Sequence, residues 1–351
     1  MRNFVTIEEK GSVREFIIND LSNVGLRIDT TKHRNVTVGQ TSPHIASNPK
    51  HQHGARVFNV PLHQMDTISV RVDDLDLTVP IFLRWCFDCI RRSIKHEGLF
   101  RKSGGSQRVK ELMVSCFSQQ SYDFLEYPFF LKSRIEDGSL TPTLSSSNTV
   151  FDVCSLFKEF LRRLTYPLIT YPLQDLLLDC FSMRSLPSEK KIDIYLNILL
   201  LLPDEHLHTL IYILRFLHEI TLHERENKMN AKNLAICVGP GIMRTSTDGK
   251  ANIMTEQCAT SVSDIVETLI LNATKLGYVT DSIYERSQML LEMRQKEAAQ
   301  NGDDSFAIEN GVKHGIGGGK MIDPANTKKR RSGSVKGKFT RSTNVIFENC
   351  L

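Results

Sequence analysis

Apolar residues between positions 150 and 164 recur as Val153, Leu156, Phe157, Phe160, Leu161 and Leu164, at offsets of 0, 3, 4, 7, 8 and 11. That spacing marks a helix burying one face. Thr149 and Asp152 just ahead have capping-box spacing, with Asp in place of the longer Glu. Lys158 and Arg162 are four apart and lie side by side on the other face. The same helical period recurs along the chain. Pro80 suits a first helical turn, followed by Ile81, Leu83, Trp85, Cys86, Cys89, Ile90 and Ile94, with Gly98 as a stop. Ser106 is placed to cap a helix carrying Val109, Leu112, Met113 and Cys116. Further helices are expected at about 171–182, 187–201, 204–222, 255–274 and 281–299. A short one from Asn230 must stop near Gly239-Pro240, because proline lacks the amide hydrogen. Another is read from Val13 to Val24. Arg56 to Leu62 forms an extended lead-in. No segment reads as a strand of a sheet, and no internal repeat is present. The fold class is all-α, a helical bundle of about nine helices flanked by flexible N- and C-terminal segments.

The formal net charge of +4 is unevenly placed. Residues 301–351 carry 9 Lys/Arg against 5 Asp/Glu, and the remaining residues balance at 35 of each. A nucleic-acid groove in the folded part is therefore not indicated. Eight cysteines form no framework, and Cys86-Phe87-Asp88-Cys89 has no second pair to complete a zinc ribbon. Reduced thiols and a reducing compartment are expected. His44, His51 and His53 lie among Ser, Asn, Pro and Gln without acidic or cysteine partners, so a loop is favoured over a metal site. His206, His208, His218 and His223 lack carboxylate geometry for zinc and read as surface or core side chains. The N-terminus has no apolar signal-peptide core, and the longest apolar run is too short to span a bilayer. A soluble intracellular protein is expected.

Glu97-Gly98-Leu99-Phe100-Arg101-Lys102-Ser103-Gly104 places one arginine on a glycine-flanked loop between helical patterns. A guanidinium is planar, permanently charged and matched to phosphate oxygens. Two later segments are Phe151 to Leu164 and Asn227-Lys228-Met229-Asn230-Ala231-Lys232-Asn233-Leu234-Ala235. In this order and rough spacing the three resemble the RhoGAP domain family, over about Phe58 to Gly277. The lead-in and the arginine loop look most like one subfamily, that of Rho GTPase-activating protein 11, which acts on Rho in cytokinesis.

The resemblance implies roles. Gly98-Leu99-Phe100-Arg101 falls on the family's finger loop, making Arg101 the catalytic arginine finger. Lys158 would contact the GTPase and Arg162 would brace the finger loop. Asn233 would bond the GTPase or the finger's backbone, and Lys228 would be structural or interfacial. The chain would be no hydrolase by itself. It would activate a Rho-family small GTPase in its GTP-bound state, the Rho class favoured. It would need no metal or cofactor of its own, because GTP and Mg belong to the partner. Two departures stand out. Leu164-Thr165-Tyr166-Pro167-Leu168 lacks the family's first proline and its glutamate. Val238-Gly239-Pro240-Gly241 lacks an asparagine, which puts a polar contact at the GTPase-facing surface in doubt. A catalytically weak GTPase-binding module is the alternative.

The expected organisation is an N-terminal segment at 1–55, the domain at 56–278, a peripheral helix at 279–300 and a disordered basic tail at 301–351. In the tail, Lys328, Lys329, Arg330 and Arg331 read either as a contact for acidic membrane or as one for an import receptor. The second reading adds a nuclear phase of the cell cycle to a cytoplasmic location. Residues 119–147, with an aromatic patch from Tyr122 to Phe130, read as an inserted loop.

Overall fold

The computed structural model describes residues 1–28, 57–117, 149–244 and 256–300. The basic cluster, the aromatic patch, the inserted loop and the histidines at 44, 51 and 53 lie outside them. The chain divides into two units, Met1–Tyr284 and Glu285–Leu351. In chain order the elements are β1 (Arg2–Asn3), α1 (Lys10–Asn23), β2 (Thr67–Val72), β3 (Leu75–Pro80), α2 (Ile81–Arg91) and α3 (Ser106–Phe117). Then come α4 (Val150–Arg163), α5 (Tyr171–Ser182), α6 (Ser188–Leu199), α7 (Asp204–Thr221), α8 (Glu224–Asn227), α9 (Ala231–Ile242), α10 (Glu256–Leu271), β4 (Tyr278–Val279) and α11 (Asp281–Gln300). The architecture is the expected helical bundle, with two antiparallel two-stranded ribbons added.

The core forms where the apolar stripes meet. Val153, Leu156, Phe157, Phe160 and Leu161 of α4 are buried, and α4 packs beside α2. Phe87 of α2 stacks on Phe216 of α7 with ring centroids 3.9 Å apart and meets Phe157 at 5.6 Å. Such aromatic pairs add directionality to the apolar burial that drives the packing. Cys86, Cys89, Cys154 and Cys180 are all buried in this core.

Three features depart from the expectations. Residues 67–80 form a hairpin, β2 with β3, in the register Thr67↔Pro80 to Val72↔Leu75. The two-residue turn Asp73-Asp74 places Asp73 at φ 54°, the left-handed conformation such tight turns require. Ile68, Val70, Leu75, Leu77 and Val79 fill one face, so the period of two was present in the sequence. Pro80 closes β3 and precedes α2 rather than occupying its first turn. In addition, α9 runs through Pro240 to Ile242. Proline is tolerated here because it falls in the last turn, where Met243 still bonds the Gly239 carbonyl at 2.9 Å.

The first 28 residues belong to the same compact unit as the bundle. β1 pairs with β4, and Phe4, Val13, Ile17 and Leu21 are buried. Lys10 and Arg14 bond Asp204 at 2.9 and 2.6 Å, which ties α1 to the start of α7. No helix among the described residues is long and apolar enough to cross a membrane.

Candidate functional site: the Arg101 loop

The segment joining α2 to α3 contains two residues in the left-handed region, Gly98 at φ 85° and Phe100 at φ 62°. Glycine adopts this freely, whereas for Phe100 it costs roughly 1–2 kcal/mol. Burial offsets that cost. The Phe100 ring is fully buried and lies edge-on to Phe157, centroids 5.5 Å apart. The loop is thus anchored by an aromatic side chain immediately before Arg101.

Backbone bonds hold it on both sides. Gly98 donates to the Asn227 carbonyl at 2.8 Å, and Lys102 donates to the Gly98 carbonyl at 2.9 Å. Asn227 is fully buried. Its amide donates to the carbonyls of Ile94 at 3.0 Å and Ile220 at 2.9 Å, and its Oδ1 accepts from Met229 N–H at 2.8 Å. It therefore ties together the chain leaving α2, the end of α7 and the Arg101 loop. Beyond the arginine, Gly104 N–H donates to Ser155 Oγ at 2.9 Å and Gly105 N–H to Asp152 Oδ1 at 2.7 Å.

Arg101 itself leaves the core. Its side chain is 49% exposed, and Nη2 meets Glu97 Oε1 at 3.4 Å. Exposed pairs of this kind are worth about 0–1 kcal/mol. The guanidinium can leave Glu97 for a phosphate at small cost while its backbone stays fixed.

The remaining site residues fall into two groups. Lys158 Nζ donates to the Phe100 carbonyl at 2.7 Å, so the lysine braces the Arg101 loop. Arg162 points elsewhere: it is 61% exposed and pairs with Glu159. The brace expected of Arg162 is made by Lys158. The physical reason is position: Lys158 lies one turn nearer the loop, where a long stem reaches an inward-turned carbonyl. Glu159 is pulled up by burial, but the bonds from Arg162 and Arg163 outweigh this and hold its carboxyl below the usual range. Asn233 Nδ2 donates to the Lys228 carbonyl at 3.2 Å, and its N–H bonds the capping Asn230 Oδ1 at 2.8 Å. Lys228 is exposed, left-handed at φ 58°, and donates through Nζ to the Arg225 carbonyl at 2.7 Å. It ends α8 and sets the turn into α9.

Cys237 connects the groups, four residues beyond Asn233 on α9. Burial raises its thiol pKa, while the nearby charges of Lys158 and Arg101 work against the rise. Cys237 thus feels the charges of both Lys158 and Arg101. The sequence pattern marks Asp152 only as a helix cap and gives no role to Asn227, Ser155, Glu97 or Cys237. Local signals exist for Asp152, its spacing from Thr149, and for Cys237, its i,i+4 relation to Asn233. Among the described residues no group of three or more His, Cys, Asp or Glu side chains is arranged to hold a metal.

The two departures from the family pattern have structural explanations. The turn at 164–168 is held by Arg244, which donates to the carbonyls of Arg162 at 2.8 Å and Leu164 at 2.7 Å. His206 Nδ1 meets the Leu168 carbonyl at 2.9 Å. Gly241 is buried, and a Cβ on it would lie 2.9 Å from Leu161 Cβ. The position faces α4, away from solvent.

Residues 80–247 match the model of the RhoGAP domain. The chain is 30% identical over 239 residues to human Rho GTPase-activating protein 11A, covering 68% of this chain and 21% of that protein. It is 34% identical over 202 residues to mouse Rho GTPase-activating protein 24, covering 57% of this chain and 24% of that protein. The chain therefore spans about a quarter or less of the length of these relatives. Among solved structures, human Rho GTPase activating protein 15 aligns at a TM-score of 0.46 and 18% identity, over 63% of this chain and 91% of that one.

Proposed function

From a chain whose residues 80–247 are a RhoGAP domain, we propose an activator of GTP hydrolysis that inserts Arg101 into the active site of a Rho-family small GTPase in its GTP-bound state. The observation that carries this reading is the mounting of Arg101. The backbone on either side of it is fixed by the half-buried Lys158 and the buried Asp152, while among the described residues the guanidinium is held only by an exposed pair with Glu97.

Hydrolysis in such GTPases is slow because negative charge redistributes over phosphate oxygens as the bond breaks. A guanidinium placed there stabilises that charge, and an arginine supplied in trans is worth about 10³–10⁵ in rate. A fixed backbone means that little ordering remains when the complex forms. GTP and Mg are the partner's, and this chain contributes the cation and its mounting. On α9, Cys237 feels the charges of Arg101 and Lys158, and Ile236, its neighbour in sequence, is 56% exposed. The alternative of a catalytically weak binding module rested on the turn at 164–168 and on Gly241. The first is braced by Arg244 and the second faces α4, which supports an active finger over a catalytically weak module.

The Rho class is the first partner to test, by resemblance to Rho GTPase-activating protein 11A. Action on the actin cytoskeleton during cytokinesis is part of the same proposal. The basic cluster Lys328 to Arg331 supports a nuclear phase beside a cytoplasmic one.

The test is a single-turnover GTP hydrolysis panel with Rho, Rac and Cdc42 classes, using the parent chain and Arg101→Ala. The parent should accelerate at least one class. Arg101→Ala should lose most of that acceleration yet still bind the GTPase. An Arg101→Ala protein as active as its parent would refute the assignment.

A further inference from the structure

The loop carrying Arg101 is gripped at its exit as well as its entry, and the grip comes from the first half of α4. Asp152 is fully buried. One carboxylate oxygen accepts from Thr149 N–H at 2.7 Å, Thr149 Oγ1 at 3.0 Å and Arg108 Nε at 2.9 Å. Its other oxygen turns to a distant part of the chain and accepts from Gly105 N–H at 2.7 Å. One turn later Ser155 Oγ accepts from Gly104 N–H at 2.9 Å. The approach is close enough to exclude any side chain. A Cβ on Gly104 would sit 2.5 Å from both the Cα and Oδ1 of Asp152.

A capping box needs only the contacts with Thr149. The oxygen given to Gly105, the ion pair with Arg108 and the hydroxyl given to Gly104 do nothing for the start of α4. They fasten α3 and the end of the finger loop to it. We infer that Asp152 and Ser155 are positioning residues for the reaction, fixing the exit of the loop as Lys158 fixes the Phe100 carbonyl, so that Arg101 is held from both sides in a direction set by α4. This inference rests on Arg101 being the finger.

Displacing a reacting group by about 1 Å can cost about a hundredfold in rate. Loss of one of several loop contacts should cost less, about tenfold. The experiment uses the full chain with Ser155→Ala, Ser155→Thr and Asp152→Asn. It reads the maximal single-turnover rate, the concentration giving half of it, the melting temperature, and amide hydrogen exchange at residues 101–105. Ser155→Ala should lower the maximal rate about tenfold with half-saturation unchanged within about twofold. Exchange should quicken at residues 101–105 only. Ser155→Thr, which keeps the hydroxyl, should restore both, and Asp152→Asn should shift them in the same direction as Ser155→Ala.

Parental rate and parental exchange in Ser155→Ala would overturn the inference. So would a loss that Ser155→Thr fails to rescue and that follows the melting temperature. Exchange does not depend on any GTPase. A parent that stimulates none, with residues 101–105 still freed by Ser155→Ala, would therefore sink the proposed function and leave the brace standing.

Discussion

Replacing Lys158 with methionine separates two ways in which this lysine can serve the reaction. Methionine keeps much of the stem and removes the charge. The bond lost is the 2.7 Å contact from Nζ to the Phe100 carbonyl. Hydrogen bonds involving a charged group contribute about 1.5–3 kcal/mol net. The residue it holds sits at φ 62°, so the loop already carries a conformational cost that the bond helps to offset. Each 1.4 kcal/mol corresponds to about tenfold in rate. If the bond serves to keep Arg101 aimed, Lys158→Met should lower the maximal single-turnover rate by about ten- to a hundredfold. Binding should change much less, because the interacting surface is otherwise intact. The measurements are phosphate release at saturating chain and, separately, affinity for the GTPase loaded with a non-hydrolysable GTP analogue. A variant that keeps the parental maximal rate but binds weakly would refute the reasoning. The lysine would then act on the partner and not on the loop.

Three further outcomes follow from the packing. Gly241→Asn should destabilise the fold by about 1–3 kcal/mol, because its Cβ would meet Leu161 at 2.9 Å; a denaturation midpoint equal to the parent's would show that the position is open after all. Phe4→Ala should cost about 3–5 kcal/mol, since Phe4 is fully buried and follows the strand paired with Tyr278–Val279; an unchanged melting curve would mean that the N-terminal segment is not part of the folding unit. Burial raises the Asp152 pKa, but the bonds from Arg108, Thr149 and Gly105 outweigh it, so the folded value lies below the usual carboxylate range. Its stabilisation is therefore complete above the unfolded value of about 4 and is lost as pH falls through the folded value. Asp152→Asn should flatten this part of the acid limb of stability, and an unchanged limb on acid titration followed by circular dichroism would contradict that.

Much of the bundle was legible in the sequence because helical burial repeats every three to four residues and each stripe can be read locally. Residues 150–164 are the clear case, where stripe, cap and charged face all appear as expected. The β2–β3 hairpin was equally local, with Ile68, Val70, Leu75, Leu77 and Val79 alternating around Asp73-Asp74. Its period of two lay directly ahead of a strongly helical segment and was not read. The loop arginine was also legible, since glycines and an aromatic anchor surround it within eight residues.

The chain alone thus determined which segments become helices, which arginine is carried on the glycine-flanked loop and which motif segments accompany it. Tertiary structure decided how that loop is held. Whether Lys158 or Arg162 reaches the Phe100 carbonyl depends on how α4 is rotated against the loop, and two basic residues four apart look alike in sequence. Asn227 and Asp152 gain their importance from partners far along the chain, at Ile94 and Gly105. Gly241 stands where the family pattern has asparagine, and only the packing of α4 against it gives the small residue a reason. Periodicity and capping are set by neighbours a turn away, whereas the partner of a buried polar group is set by what the folded chain brings beside it, and no local spacing encodes that.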